Sequence, residues 1–422
     1  MKRIAIVGSG VSGLTAAYLL SKKHHVTVFE KADRIGGHTA TVDVEIDGKS
    51  IAIDTGFIVF NDKTYPHFLA LLAEIGMGKQ ATEMSFSVHN CQTGLEYNGH
   101  NLDTLFAQRR NLFKPKFWSL IREILRFNKQ CKSIFSKENF RSGYTLGNFL
   151  SENNYSDFFA EHYILPMGAA IWSSSLAQME NFEFKFFVQF FHNHGLLNIA
   201  DRPQWYVIPK GSRSYLPPLC RPFENNIVVN ASITGISRHQ QQVDIHFSDK
   251  DSQSFDEVVI ACHSDQALAL LKDASDQETS VLSSMPYSEN SVVLHTDKTL
   301  LPKREKAWAS WNYQLSKDRH KAASVTYNMN ILQGLENEHT FCVTLNQKDD
   351  IDPNCILKEF TYHHPVFSST SIRAQKQRHT ICGINHTHYV GAYWHNGFHE
   401  DGVRSAVEVA KRFDCNLDTS IV

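Results

Sequence analysis

Glycines at positions 8, 10 and 13, followed by a glutamate at position 30, are the residues of this 422-residue sequence whose types and spacing point most directly to chemistry. In Gly8-Ser-Gly10-Val-Ser12-Gly13, Gly8 permits a tight turn, Gly10 lets backbone approach a pyrophosphate, and Gly13 lets the following helix pack closely on the preceding strand. The helix N-terminus, which carries Ser12, then turns its unpaired amides toward the phosphates. Glu30 falls 22 residues after Gly8, where a dinucleotide site needs an acceptor for ribose hydroxyls. The elements that must hold these residues are legible around them. Residues 4–8 read as a short buried strand, 14–20 as an apolar helix, and 25–30 as a second buried strand ending in the acid, together a βαβ unit. Lys2-Arg3 and the apolar run behind it could pass for a signal peptide, but three glycines at fingerprint spacing interrupt the run. Lys22-Lys23-His24-His25 is also a poor cleavage region, so export is not expected.

With 42% hydrophobic and 20% charged residues, the chain is long enough for two domains with separate cores. A formal charge of -2 argues against a nucleic-acid binder, and no run of 18 apolar residues suggests a membrane span. The eight cysteines are scattered without a CxxC pair, as reduced thiols of a cytoplasmic protein would be. Despite 22 histidines there is no HExxH, and no metal site is expected.

Directly after Glu30 comes Lys31-Ala-Asp-Arg34-Ile-Gly36-Gly37-His38-Thr39, a second glycine-bearing turn that a nicotinamide-only domain does not need. Here the sequence resembles the flavin-dependent amine oxidase superfamily, whose members carry an acid followed by Arg-x-Gly-Gly-Arg near the ribose and pyrophosphate. Arg34, Gly36 and Gly37 match, and His38 stands where the family has its second arginine, which removes one permanent charge. The resemblance implies an FAD site that includes Lys31, Arg34, Gly36, Gly37, His38 and Thr39. It also implies a glutathione-reductase-like FAD-binding domain of α/β class (parallel sheet plus β-meander) with an interleaved α+β substrate domain of amine-oxidase type.

Residues 42–54 alternate as a hairpin around Asp47-Gly48, and Gly56-Phe57 ends it where the family runs a glycine segment beside the flavin ring. Pro66 opens a helix that Gly76 stops. Residues 102–197 read as mainly helical, with segments at 116–135, 146–152, 157–164 and 181–194. Residues 227–230, 232–236 and 243–247 read as three short antiparallel strands, and 256–261 as a returning parallel strand. This resembles the family's meander, with Ile233 offering backbone to the adenine. Residues 389–393 read as a last buried strand, and Asp401-Gly402-Val403 as the start of a helix to residue 413. The expected partition is 1–65, 202–263 and 376–422 for the FAD-binding domain, with 66–201 and 264–375 for the substrate domain.

In the family, the strand end at Gly391 and the acid-Gly helix start at Asp401, Gly402 and Val403 place backbone amides and a helix dipole at the flavin pyrimidine. The ribityl-binding glutamate of the family falls at Tyr393. The family's oxygen-assisting lysine falls on residues 291–295, which have none, so an electron acceptor other than oxygen is expected.

Two stretches bear on the substrate. The rings of Phe182, Phe184, Phe186, Phe187, Phe190 and Phe191 recur at helical spacing, either facing a core or lining an apolar tunnel. Residues 109–137 carry nine basic residues and one acid, Glu123, with Phe113, Phe117, Trp118 and Phe127 interleaved; this is either a solvated basic face or an anionic-membrane face. Trp172, Trp308, Trp311, Tyr393, Trp394 and His295 are candidates for the cavity over the flavin. More narrowly, residues 54–61, 308–313 and 397–402 look like a bacterial group of FAD-binding oxidoreductases found beside or fused to cyclopropane-fatty-acid-synthase-like methyltransferases. That company implies an acyl-lipid substrate and a methyltransferase partner; the missing lysine points to a redox partner, and the cysteines to a cytoplasmic protein, which the basic stretch on the second of its readings makes peripheral to the membrane's inner face. The reading is an FAD-dependent acyl-lipid dehydrogenase or desaturase, with a flavin amine oxidase or a non-catalytic flavin-binding scaffold as alternatives.

Overall fold

A computed structural model describes residues 1–199 and 201–421, the side chain of Ile421 excepted. Strand Arg3–Val7 is the centre of a five-stranded sheet in the order Ile227–Val228, His25–Phe29, Arg3–Val7, Glu257–Ile260, Thr387–Tyr389. All its neighbours run parallel. Parallel strands are covered on both faces, which is why Ile4, Ile6, Val258 and Ile260 are all fully buried. Helix Val11–Ser21 buries nine of its eleven residues because a second helix, His399–Ala410, packs over its outer side. Gly402 permits that approach: a Cβ there would lie 2.8 Å from both Ser12 Oγ and Val11 Cγ1.

Several expectations change. Residues 227–228 are not a meander strand but the fifth parallel strand, since Ile227 and Val228 pair with Val28 and Phe29. The meander is Ile233–Arg238, Val243–Phe247 and Gln253–Phe255, whose short third strand follows a polar turn and carries little apolar pattern. The last strand stops at Tyr389, and residues 392–394 form a 3-10 turn instead of continuing it. Helix Pro66–Glu74 has its N-terminal amides at His67 and Phe68 capped by the Glu400 carboxylate at 3.1 and 2.9 Å. Phe68 and Leu71 from this helix, with Ala267 and Leu282 from helices Ser264–Leu270 and Asp276–Ser283, lie in the same apolar core as the parallel sheet. By packing, these three helices go with the sheet, on the other side of the boundaries expected at 66 and 264.

A buried ion pair ties this half together. Arg238, on the first meander strand, meets Glu278 of helix Asp276–Ser283 at 2.5 Å, with side chains only 2% and 4% exposed. Tyr389 at the sheet edge donates its hydroxyl to the same carboxylate at 2.6 Å.

The other half is built on a seven-stranded sheet in the order Ile356–Pro365, Tyr287–His295, Cys342–Leu345, Ser324–Asn328, Trp311–Gln314, Phe86–Asn90, Leu95–Asn98. Against it lies a helical block that includes Pro115–Ser136, Leu165–Trp172 and Phe184–Asn193. Phe117, Phe127, Phe159, Phe187 and Phe191 fill its core. Among the described residues no helix is long and apolar enough to cross a membrane.

Candidate active site

A cavity of about 810 Å³ runs from the parallel sheet into the helical block. Its sheet-side wall begins at the glycine turn. Gly8 has φ +106°, and Gly13 sits so close to it that a Cβ on Gly13 would lie 2.0 Å from the Gly8 carbonyl oxygen. Gly10 differs from both. It begins the helix with no side-chain cap, and a Cβ built on it would meet nothing within 4 Å, because it faces the cavity. The first amides of helix Val11–Ser21 are therefore left for a ligand, and the positive end of the helix dipole lies behind them.

The second turn docks on the first. Gly36 donates its amide to the Ser9 carbonyl at 3.0 Å, and a Cβ on Gly37 would lie 3.2 Å from the Gly10 Cα. Gly36 and Gly37 take φ of +108° and +57°, which explains two glycines in succession. Glu30 accepts from the Ser9 amide at 2.9 Å and the Ala32 amide at 2.8 Å, so its carboxylate is oriented before any ligand arrives. Glu30, Lys31, Ile233 and Gly391 all line the cavity.

Arg34, Thr39, Asp401 and Val403 act one layer back, as Gly402 does against Ser12. Arg34 donates to the Gly37 carbonyl at 3.0 Å and is not part of the lining. Thr39 bonds the Tyr215 hydroxyl at 2.6 Å and His399 Nε2 at 3.1 Å; the His399 ring stacks 3.4 Å from Phe57, fixing the Gly56-Phe57 segment. Asp401 accepts the Phe398 amide at 2.9 Å as the cap of helix His399–Ala410, and burial raises its carboxyl to about 6. Val403 is core. The helix thus starts two residues earlier than expected, and Gly397, Phe398 and His399 are what it brings to the cavity. The Asn396-Gly397 turn pair, with Gly397 at φ +94°, is the signal that could have located this start.

His38 lines the cavity half-buried, its buried Nε2 without a partner. Burial, then the neighbouring His364, His263 and Arg34, hold it down at about 3, so it is neutral where the resembling family has a cation. Around it stand His263, stacked 4.0 Å from Tyr287, and His364, 5.6 Å from the His38 ring. These come from segments far apart in the chain, and nothing in the sequence shows that they meet at His38.

The far half is apolar. Trp172 and Trp311 line it, with Met167, Ile171, Leu196 and Tyr327, whereas Tyr393 lines the sheet end beside Gly391. The Trp172 and Trp311 indole N–H groups and the Tyr393 hydroxyl are buried without partners. Phe190 does both things that its helix pattern allowed, packing in the core and facing the cavity, while Phe187 and Phe191 are core alone. The other three candidates are corrected. Trp308 turns its indole to the Pro302 carbonyl at 2.8 Å, and Trp394 lies over Arg378, 5.5 Å away in a separate pocket. His295 bonds Thr344 Oγ1 at 2.7 Å between strands. None of the three lines the cavity.

The open cradle at Gly10, the uncapped amides, the oriented Glu30 carboxylate and the orphaned buried donors together fit a nucleotide cofactor running into an apolar chamber. Comparison with known proteins agrees. The family model of flavin-containing amine oxidoreductases matches residues 11–331. An L-amino-acid oxidase of Bothrops jararacussu is 50% identical over 48 residues, a stretch that spans 11% of this chain and 10% of that relative. Among solved structures, a CLA-producing fatty acid isomerase from P. acnes is 16% identical with TM-score 0.68, covering 98% of each chain. Cyclohexylamine oxidase from Brevibacterium oxydans IH-35A is 13% identical with TM-score 0.69, covering 98% of this chain and 99% of that one. These two share the fold.

Proposed function

We propose, from the premise that this chain belongs to the flavin-containing amine oxidoreductase family, that it binds FAD and removes a hydride from a C–H bond of a hydrophobic, acyl-lipid substrate. Membership makes it a flavin-dependent oxidoreductase of amine-oxidase type. The dinucleotide form is supported by the Gly8–Gly13 turn and Glu30, which serve a pyrophosphate and a second ribose.

The observation that carries the substrate class is the charge of the lining. Among the described residues Glu30 is the only carboxylate in the cavity, and it sits at the sheet end beside Ser9. The chamber around Trp172 and Trp311 therefore offers no anion to a substrate ammonium, whose burial unpaired would be costly. An acyl chain has no such requirement. Of the two fold relatives, one acts by its name on a fatty acid and the other on an amine; the lining supports the first kind of substrate.

The bound flavin supplies the hydride acceptor, so no protein nucleophile is needed. This chain's residues do the rest. Met167, Ile171, Phe190 and Leu196 hold the chain and exclude water, Gly397 to His399 bring helix-terminal amides to the cavity edge, and the Glu30 carboxylate accepts ribose hydroxyls. A methyltransferase acting on the same lipid, or a redox protein taking the electrons, is the partner this reading calls for.

The test is anaerobic mixing with a monounsaturated phosphatidylglycerol and, separately, with cyclohexylamine and an L-amino acid. Loss of visible flavin absorbance with the lipid alone, and an acyl product two hydrogens lighter, one lost as the hydride and one as a proton to water, is the expected result. Bleaching by the amines instead would move the protein to the amine oxidases, and no bleaching by any of them would leave a flavin-binding scaffold.

Among the described residues Lys31 is the only lysine lining the cavity, and no described residue stands as the lysine that assists oxygen in the family. Photoreduced protein is accordingly expected to reoxidise slowly in air-saturated buffer and faster with a quinone analogue, as followed by stopped flow. Rapid reoxidation with stoichiometric peroxide would contradict this.

A further inference from the structure

We propose that the exposed face of residues 102–137 is a docking surface for an anionic phospholipid bilayer. Of the ten large hydrophobic side chains exposed among the described residues, five lie here: Leu102, Leu112, Phe113, Trp118 and Leu125. Phe113 is 87% and Leu102 75% exposed. All nine basic residues of the segment are exposed with them, and among the described residues only Arg109 and Arg126 have a carboxylate within 4.0 Å, Asp103 and Glu123.

The arrangement is built by one helix and the turn before it. Helix Pro115–Ser136 buries Phe117, Leu120, Phe127 and Cys131 on its inner side. On the outer side Trp118, Arg122, Leu125, Lys129 and Lys132 recur at alternating spacings of four and three, all exposed. They make a single stripe roughly 20 Å long, at 1.5 Å per residue. The turn Arg109–Phe113 sets Leu112 and Phe113 beside its first end.

A helix face turned only to water needs charge and has no use for tryptophan, leucine and phenylalanine between the cations. Nucleic acid would satisfy the cations through its phosphates but leave Leu102, Phe113 and Leu125 wet. A bilayer interface satisfies both, with cations at the phosphates and apolar side chains in the upper acyl region.

The stripe also connects to the cavity. The ring of cavity-lining Tyr97 is 5.9 Å from Phe117, Phe117 is 5.5 Å from Phe106, and Phe106 is 5.3 Å from Trp118. The chamber's wall and the docking face thus share one aromatic cluster. Delivery of lipid from that face rests on the acyl-lipid reading above, whereas the docking surface does not.

The experiment is co-sedimentation of the full chain with vesicles of mixed phosphatidylglycerol and phosphatidylcholine, and with phosphatidylcholine alone. Binding to the anionic vesicles, weakened by added salt, is expected. Replacing Arg122, Lys129 and Lys132 by Gln should reduce affinity about tenfold or more. Phe113→Ser and Leu125→Ser should reduce it at unchanged charge, and their surface positions leave the melting temperature and flavin content as the check on folding. Three results overturn the proposal: no binding to anionic vesicles, equal binding to neutral ones, or loss on charge removal with Phe113→Ser and Leu125→Ser unaffected. The last would mark the face as a polyanion site such as nucleic acid. No enzymatic turnover enters the measurement, so a wrong substrate class leaves it readable.

Discussion

Gly10→Val is expected to give a protein that folds and melts as the wild type does but purifies without flavin. Gly10 has φ -66°, which valine adopts, and its Cβ would meet no protein atom within 4 Å. The added side chain would stand where a pyrophosphate must come to reach the uncapped amides of helix Val11–Ser21. Loss of two charge-assisted hydrogen bonds at roughly 1.5–3 kcal/mol each corresponds to between about a hundredfold and ten-thousandfold in affinity. Gly13→Val is the contrast: its Cβ would lie 2.0 Å from a backbone oxygen, so stability falls by about 3 kcal/mol or more before binding is considered. Visible absorbance per chain and thermal melting distinguish the two. Full flavin content in folded Gly10→Val would remove the phosphate-turn assignment.

Glu278→Ala should be the most damaging single substitution on the sheet side away from the cavity. It strips one of two carboxylates from an Arg238 side chain that is 2% exposed, leaving only the exposed Asp273 at 2.8 Å, and takes the acceptor of the Tyr389 hydroxyl with it. Breaking a buried pair in this way costs about 3–5 kcal/mol. The paired replacement Arg238→Met with Glu278→Leu should recover much of that loss, because the cost lies in the stranded charge. The pH dependence has a definite sign. Burial on its own would raise the Glu278 carboxyl, but hydrogen bonds from Arg238, Tyr389 and Ser275 bring it from 4.5 to about 2. A carboxyl depressed in the folded state stabilises fully above its unfolded value and loses that contribution as pH falls from 4.5 toward 2. Wild type should therefore lose stability across that window more steeply than the double variant in urea titrations. If Glu278→Ala melts with the wild type, the pair does not hold the meander to the sheet.

The glycine-turn end of the cavity was legible because its residues are neighbours in sequence. Three glycines with distinct mechanical roles, an acid at the end of the next strand and a second glycine turn all fall within the first forty residues. The chamber was not legible in the same way. His263, His364, Phe367, Tyr287 and Phe398 meet there from separate elements, and no local pattern shows that they share one chamber. His295 shows the limit well. It shares a strand with cavity-lining Tyr287, but eight residues of strand is roughly 26 Å, so one end of the strand reaches the chamber and the other does not. Trp308 and Trp394 stand next to lining segments and turn away to partners of their own. The basic stretch was visible as charge, while the exposed Leu102, Phe113 and Leu125 that change its meaning required the fold.

Gly402 lying against Ser12 has a consequence for how the protein is made. Synthesis proceeds from the N-terminus, so the glycine turn leaves the ribosome hundreds of residues before the helix that covers it. Until residue 402 has emerged, Val11, Leu14 and the edge of strand Glu257–Ile260 lack their cover and their partner strand Thr387–Tyr389. Contacts this distant form slowly and leave adhesive surface open meanwhile. A nascent polypeptide cut short before position 387 thus carries the glycine turn without the strand and helix that complete the sheet and cover it.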